Sequence, residues 1–178
     1  MQNVHRIELP CGAVTIVDNA DRELVSGFSW RLLSNGYVYA DRFLWRIALH
    51  RLIAGPRDAE CVDHANGNRL DNRTSNLRIA TYAQNSANRG PDRRRGGKSS
   101  GYKGVSWNRE RQHWRAYVHV NGKTTALGSF SEEKDAARAY DRAAIRAWGE
   151  FARLNNVDGE DFVSAASDAT HEDLGVSL

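Results

Sequence analysis

Four polar residues in the middle of the chain have the types and spacing of a hydrolytic site. Asp63 and His64 are adjacent, Asn76 follows twelve residues after the histidine, and Asn85 follows nine residues after that. A neutral histidine can take a proton from water. Carboxylate and amide oxygens bind hard divalent cations, which stabilise charge on a leaving oxygen. The set predicts metal-dependent phosphodiester hydrolysis.

The adjacency of Asp63 and His64 imposes a geometric condition on such a site. Neighbouring residues of a regular strand face opposite sides, so the two side chains share one site only if the chain bends at the strand end. A polar loop over 65–76 follows and allows a bend. Asn76 lies where this loop returns, and its side chain could bond loop backbone. A lone Asp-His pair in an Asn-rich turn is more often a surface feature than a catalytic one.

A resemblance to a known family rests on this part of the chain. The sequence VDHANGNRLDNRTSNLRIAT at 62–81, followed by Asn85 and Asn88 and preceded by LHRL at 49–52, resembles the HNH endonucleases. These are ββα-metal nucleases, and the likeness is greatest to their homing-type members from phages and bacteria. It covers roughly residues 5–90.

The resemblance implies a role for each residue of the set. His64 would be the general base that activates water, and Asn76 would hold the loop and orient His64. Asp63 and Asn85 would bind the metal. Many family members have histidine at the position of Asn85, and a neutral amide is a weak ligand. The expected metal is therefore Mg²⁺ or Mn²⁺, held partly by substrate phosphate, and zinc is disfavoured.

Several residues nearby remain open to two interpretations. His50 could brace the site or contact phosphate, or it could be a packed structural histidine. Arg69, Arg73 and Arg78 could bind phosphates or be simply solvated. Asn88 follows Asn85 by one helical turn and is not expected to be a ligand.

Charge is distributed unevenly along the chain. The formal net charge is +3, but no Lys or Arg follows Arg153, and residues 1–155 carry 25 basic and 16 acidic side chains. Nine basic and two acidic residues lie between Arg89 and Arg115. Such clustering favours a polyanionic partner through counterion release, although a solvated basic surface is the common alternative. Phosphate contacts are expected from Arg93, Arg94 and Arg95.

The second half of the chain predicts a small sheet and one helix. The segments GVSW, HWRAYVHV and TTALGSF predict three strands, with Asn121-Gly122 as the turn of a hairpin. Apolar Trp114, Ala116, Val118 and Val120 alternate with Arg115, Tyr117 and His119, which gives the middle strand one apolar face and one basic, aromatic face. The helix is expected after Ser131 as N-cap, with Gly149 as its stop. Its sheet-facing residues are expected to be Ala136, Tyr140, Ala143 and Ala147.

A second resemblance rests on residues 101–155. The sequences KGVSW, LGSF and AARAYDRAA resemble the APETALA-two, or ethylene-response-factor, DNA-binding domain. That family reads the major groove with a three-stranded antiparallel sheet packed on one helix. Several contact positions are Arg or Trp in the plant regulators and differ here, so their sequence preference does not carry over. The implied contact residues are Lys103, Ser106, Asn108, Tyr117, His119, Thr124 and Ala126, with Arg115 on the same face.

The chain as a whole is predicted to be α+β. Residues 1–88 would form a ββα-metal nuclease module with a β-rich start, in which Asn35-Gly36 turns a hairpin and RFLWRIALHRLIAGP forms either a strand leading into a helix or one helix. Residues 89–100 would be a basic linker, 101–155 the DNA-binding domain, and 156–178 an acidic, disordered tail.

Composition excludes some classes of protein. No apolar run approaches the roughly 18 residues of a membrane span, and the start has no apolar segment of a signal peptide. The two cysteines form no CxxC pair, which favours a reducing compartment. We expect a protein of the cytoplasm of a bacterium or phage-infected cell, with double-stranded DNA as its partner and no membrane. The oligomeric state is not determined.

The sequence thus predicts a site-recognising, homing-type DNA endonuclease that leaves 5′-phosphate and 3′-hydroxyl ends. The alternative is a sequence-specific DNA-binding regulator with an inactive nuclease module. An RNA-binding intron factor is a weaker alternative, because no part of the chain resembles an RNA-recognition motif.

Overall fold

The computed structural model describes residues 3–42, 45–58, 60–90 and 100–157. The chain divides into two compact units, residues 1–88 and 89–178, each with its own sheets and core. The fold class is α+β, as predicted. The elements of the first unit are β1 (Val4–Glu8), β2 (Val14–Asp18), α1 (Arg22–Ser26), β3 (Arg31–Leu32), β4 (Val38–Arg42), β5 (Trp45–Ala48), α2 (Leu49–Ala54), β6 (Cys61–His64), β7 (Leu77–Ala80) and α3 (Tyr82–Ala87). Those of the second are β8 (Val105–Asn108), β9 (His113–Val120), β10 (Lys123–Phe130) and α4 (Glu133–Trp148).

The first unit contains three small antiparallel sheets. Strands β1 and β2 form a hairpin, β3, β4 and β5 form a three-stranded sheet in that order, and β6 pairs with β7. The core beneath them holds Val17, Val25, Trp30, Val38 and Leu49, all of them buried.

The predicted turns form, with one difference in length. Asn35 and Gly36 lie in the turn between β3 and β4, and Gly36 has a φ of +81°, which glycine adopts without steric cost. Leu33 and Tyr37 are hydrogen-bonded across the turn, so the loop has three residues rather than two. The segment from Trp45 to Ala54 forms a strand leading into a short helix, and Gly55 ends that helix in the left-handed conformation.

Strand β6 is covered on both faces, which explains why Asp63 and His64 are both buried. The strand stays paired with β7 through the last residue, with Asp63 opposite Arg78 and His64 opposite Leu77. The ladder holds the normal alternation of side chains up to His64, and the chain turns immediately after it, where the Gly67 N–H is donated to the His64 carbonyl at 2.8 Å. Asp63 faces the end of α3, and His64 faces α2.

The loop between β6 and β7 is held by the N-terminal hairpin. Ile16 donates its backbone N–H to Leu70 and accepts one from Asn72, and a parallel bridge joins Ile16 to Asp71. The Asp18 carboxylate accepts the Thr74 N–H at 2.8 Å. The β-rich start thus shapes the polar loop, which contains one short 3₁₀ turn at Thr74–Asn76.

The second unit is a three-stranded antiparallel sheet packed on one helix, as predicted. The strand order is β10-β9-β8, and α4 packs against all three strands. Asn121 and Gly122 both have positive φ values, as in a type I′ hairpin turn. A bulge at Leu127 lets this residue turn towards the helix, and the pairing register between β10 and β9 shifts by one residue across it.

Several local predictions were wrong. Helix α1 was not predicted. Ser131 is not the N-cap of α4, because Glu132 keeps an extended backbone and the helix begins one residue later. Gly149 ends α4 as expected, but Ala147 is exposed and Ala144 is buried in its place. Arg93, Arg94, Arg95, most of the expected linker and nearly all of the expected tail lie outside the described residues.

Candidate active site and nucleic-acid interface

His64 lies at the end of β6 in a buried cluster of rings. Its ring centroid is 5.4 Å from that of His50 and 5.9 Å from that of Tyr37, and the residue is 3% exposed. Burial lowers the pKa of His64, although the hydrogen bond with Asn72 and the charge of Asp63 act in the opposite direction. The imidazole is therefore neutral at pH 7, which is the form that can accept a proton.

Asn72 is the side chain that bonds His64 directly. Its Oδ1 lies 3.2 Å from His64 Nε2, and its Nδ2 donates to Thr15 Oγ1 at 2.8 Å and to the Arg69 carbonyl at 3.3 Å. Thr15 Oγ1 donates in turn to the Leu70 carbonyl at 2.8 Å. Sequence reasoning did not single out Asn72 or Thr15, since no local pattern distinguishes them from ordinary loop and strand residues.

Asn76 bonds the loop and not the histidine. Its Oδ1 accepts the Asn66 N–H at 3.0 Å, and its Nδ2 donates to the Asp71 carbonyl at 2.7 Å. These bonds join the two sides of the loop after β6. Asn76 thus has the loop-holding contacts expected of it, while the hydrogen bond to His64 comes from Asn72.

Asp63 is held from two directions. Asn88 Nδ2 donates to Oδ1 and Oδ2 at 3.0 Å each, and also to the His64 carbonyl at 2.9 Å. Arg78 donates to Oδ2 through Nε at 2.9 Å and through Nη2 at 2.7 Å. Asn88 thus bridges the backbone of one proposed catalytic residue and the carboxylate of the other. No spacing along the chain indicates this contact in advance.

Asp63 offers carboxylate oxygens of the kind that hard cations prefer. Asn88 bonds both Oδ1 and Oδ2 of Asp63, and Arg78 bonds Oδ2. Asn85 lies on α3 one turn before Asn88 and is half-buried. Within the described ranges, no group of three or more His, Cys, Asp or Glu side chains could hold a metal ion. A cation at Asp63 would take its remaining ligands from amide oxygens, water or substrate phosphate.

His50 is buried beside His64. Its ring stacks at 4.8 Å from Tyr37, and its Nδ1 is buried with no hydrogen-bond partner among the described residues. Burial lowers the pKa of His50 to about 3, with smaller effects from His64, Arg51 and Arg69. Of the two interpretations of His50, these contacts favour the packed one.

The three arginines of this region all have partners. Arg69 donates to the Asn35 carbonyl at 2.6 Å and lies over the Tyr37 ring at 4.4 Å. Arg73 pairs with Asp71, and its hydrogen bonds lower the pKa of that carboxyl. Arg78 pairs with Asp63. None of the three is simply solvated.

The outer face of the second unit carries most of the residues implied by the second resemblance. Across the sheet, Ser106 pairs with Arg115, His119 with Thr124, and Tyr117 with Ala126, so these residues share the face opposite α4. Arg115, Tyr117, His119 and Thr124 are exposed, while Ala116 and Val118 between them are buried. The predicted alternation of β9 is confirmed. His119 Nδ1 and Thr124 Oγ1 lie 3.1 Å apart.

Two implied contact residues have additional structural roles. Asn108 Oδ1 accepts the N–H groups of Glu110 and Arg111, so it closes the turn after β8. The backbone of Lys103 exchanges hydrogen bonds with the Asn155 side chain. Burial, and then the charge of Arg153, lowers the pKa of Lys103 to about 8, so the amine stays mostly charged at pH 7.

The β-loop-β-α arrangement around a buried histidine and carboxylate is that of a ββα-metal nuclease. A family model described as HNH endonuclease matches residues 47–87. An uncharacterized HNH endonuclease of Acanthamoeba polyphaga mimivirus is 36% identical over 141 residues, which cover 76% of this chain and 71% of that protein. The chain belongs to the HNH endonuclease family.

Two further relatives match shorter stretches of the chain. Protein 3.8 of Escherichia phage T7 is 36% identical over 93 residues, covering 52% of this chain and 74% of that protein. The AP2-like ethylene-responsive transcription factor TOE2 of Arabidopsis thaliana is 44% identical over 63 residues, which span 35% of this chain but only 13% of the plant protein. The chain therefore carries an AP2-like region beside its HNH region. No solved structure matches.

Among the described residues, no helix is both long and apolar enough to cross a membrane.

Proposed function

We propose that this protein is a site-recognising, metal-dependent DNA endonuclease of the homing type. The observation that carries the proposal is that a buried, neutral His64 directly follows a buried Asp63 whose carboxylate is fixed by Asn88 and Arg78. A surface Asp-His pair would not need such support. Residues 1–88 would cut the DNA, and residues 101–155 would direct the cut, joined by a basic linker over 89–100.

His64 would take a proton from water as the water oxygen attacks phosphorus. The bond from phosphorus to the 3′-oxygen breaks, and the leaving oxygen takes up a proton from solvent, which gives 5′-phosphate and 3′-hydroxyl ends. Asp63 and Asn85 would hold Mg²⁺ or Mn²⁺. When bound, that cation supplies stabilisation of negative charge on the phosphate and the leaving oxygen.

Arg78 gives a reason for weak metal binding before DNA arrives. Its guanidinium already neutralises Asp63, so a cation approaching the carboxylate meets a like charge. Substrate phosphate adds negative charge and oxygen ligands, which offset this repulsion. One active site per chain would give a nick in one strand of the duplex. We place the reaction in the cytoplasm of a bacterium or a phage-infected cell.

The metal dependence tests this proposal. Cleavage should need added Mg²⁺ or Mn²⁺ and should stop with EDTA. Asp63→Asn should need at least ~10-fold more metal for half-maximal cleavage, since the charged ligand is lost. Asp58→Asn, at an exposed position, is the matched control and should behave as the parent protein. Cleavage that is insensitive to EDTA, or stoichiometric zinc that survives dialysis, would contradict the metal assignment.

A further inference from the structure

The side-chain amide of Asn72 has only one orientation that satisfies its neighbours. Backbone carbonyls accept hydrogen bonds and cannot donate them, so the amide edge 3.3 Å from the Arg69 carbonyl must be the NH₂ group. The Thr15 hydroxyl donates to the Leu70 carbonyl and therefore accepts from the same NH₂ group. The reverse orientation would set two carbonyl oxygens against each other and draw the Thr15 proton away from Leu70.

This orientation determines which nitrogen of His64 carries the proton. With NH₂ directed at Thr15 and Arg69, Asn72 presents Oδ1 to His64 Nε2 at 3.2 Å. An amide oxygen only accepts, so Nε2 must donate. In a neutral imidazole the other nitrogen, Nδ1, then holds the free lone pair.

We propose that Asn72 and Thr15 are positioning residues that fix the tautomer of His64, with the proton on Nε2 and Nδ1 as the basic atom. These hydrogen bonds form a relay from Thr15 through Asn72 to His64. It starts in β2 of the N-terminal hairpin and reaches His64 through the loop after β6. Its members are well shielded from water, since Thr15 is 0% and Asn72 1% exposed. A buried amide with every group bonded resists reorientation, because an unpaired polar group would remain. The base role of His64 rests on the proposed function, while the tautomer does not.

The tautomer can be measured without any cleavage assay. The full chain, labelled with ¹⁵N-histidine, is examined by NMR above the pKa of His64, with the His64 signals identified by their loss in His64→Gln. We expect a protonated Nε2 and an unprotonated Nδ1. A protonated Nδ1, or an exchanging mixture of both tautomers, would overturn the proposal.

Variants of Thr15 test the relay through function. Thr15→Ser keeps the hydroxyl and should retain the parent tautomer and cleavage rate. Thr15→Val is similar in size but removes the acceptor of the Asn72 amide, and it should lower single-turnover cleavage roughly 10- to 100-fold while the Kd for DNA changes less than twofold. Equal rates for the serine and valine variants, in folded protein, would overturn the proposal.

A substitution of Asn72 separates the effect of its hydrogen bond to His64 from that of its packing. Asn72→Leu fills similar space but cannot accept a hydrogen bond from Nε2. We expect His64 of this variant to lose the parent tautomer, whereas a role of Asn72 in packing alone would preserve it. The parent protein's spectrum decides the question if a variant fails to fold. A protonated Nε2 in a protein that does not cut DNA would refute the proposed nuclease and leave the relay standing.

Discussion

The side-chain amide of Asn88 spans both carboxylate oxygens of Asp63, at 3.0 Å from each, and also bonds the His64 carbonyl. Asn88 lies at the C-terminal end of α3, so this one residue ties the helix to the strand that carries both proposed active-site residues. It fixes Asp63 without itself offering a negative ligand.

Loss of this contact should weaken catalysis more than binding. Asn88→Ala leaves Asp63 held by Arg78 alone, and we expect cleavage to fall roughly 10- to 100-fold, with a higher Mg²⁺ requirement. The measurement is single-turnover cleavage against Mg²⁺ concentration, beside the Kd for DNA. Ser86→Ala, on the same helix, is the control. A parent-like Mg²⁺ requirement in Asn88→Ala would show that Asn88 does not support the site.

The sequence predicted those features that depend on neighbours along the chain. Alternation in β9 identified the outer face that carries Arg115 and Tyr117, and Asn-Gly pairs located both hairpins. The contacts that were missed depend on packing. Thr15 and Asn72 are 57 residues apart and meet only when the N-terminal hairpin lies on the loop. Spacing alone could not show that Asn88 would hydrogen-bond Asp63, because Asn85 lies one turn before it on the same helix.

Arg78 illustrates the same limit. As a residue of a basic segment it could be assigned to phosphate or to solvent. The register of β6 and β7 instead places it opposite Asp63, and that register forms only when the two strands pair across the loop. Whether an arginine of this kind binds DNA or a carboxylate is decided by long-range pairing.

Gly104 should tolerate no side chain. Its φ is +72°, and an added Cβ would lie 2.0 Å from Tyr140 Cδ2 and 2.6 Å from the Tyr117 carbonyl. We expect Gly104→Ala to lower the free energy of unfolding of the second unit by about 2–5 kcal/mol, from backbone strain and overpacking together. Gly122→Ala is the control, because its φ of +78° is similar but nothing lies within 4 Å. Urea unfolding of both variants measures the difference, and equal losses would contradict the close packing of Gly104.

The outer face of the sheet should carry recognition. Arg115→Ala and Tyr117→Ala should each weaken binding to the preferred DNA site by about 1–3 kcal/mol. The loss of binding free energy should be smaller for unrelated DNA. Arg142→Ala, exposed on α4, removes the same charge from another surface and should have little effect. Fluorescence anisotropy with both DNAs gives the comparison. Equal weakening by Arg115→Ala and Arg142→Ala would argue against the sheet as the reader.

The arginines at 93–95 should contribute differently. Replacing Arg93, Arg94 and Arg95 with alanine should weaken binding to all sequences about equally, because phosphate contacts carry no sequence information. The slope of log Kd against log salt should fall by roughly 0.9 for each lost contact. A loss of affinity confined to the preferred site would contradict this division of roles.

Buried His50 should make the first unit sensitive to acid. Its pKa is about 3 in the folded protein, against 6.5 for an unperturbed histidine, so the unfolded chain binds the proton more readily between these values. The contribution of neutral His50 to the free energy of unfolding is fully present above about pH 6.5. It falls as the pH drops towards 3, by about 3 kcal/mol at pH 4.5. His50→Phe should reduce this loss. Urea unfolding at pH 4.5 and at pH 7, followed through NMR signals of the first unit, gives the free energy of unfolding of the parent and the variant at each pH. An unchanged pH dependence would contradict the buried neutral state.

The most direct test of the nuclease assignment is nicking of supercoiled plasmid by the parent protein and by His64→Ala in Mg²⁺, with the Kd for the same DNA measured in parallel. We expect nicking by the parent protein, a loss of at least ~100-fold in the variant, and nearly equal affinities for the DNA. His5→Ala removes a histidine outside the ring cluster and should cut like the parent. Equal cleavage by parent and His64→Ala would remove His64 from the mechanism. Tight DNA binding by a parent protein that never nicks would instead indicate a DNA-binding regulator and contradict the account.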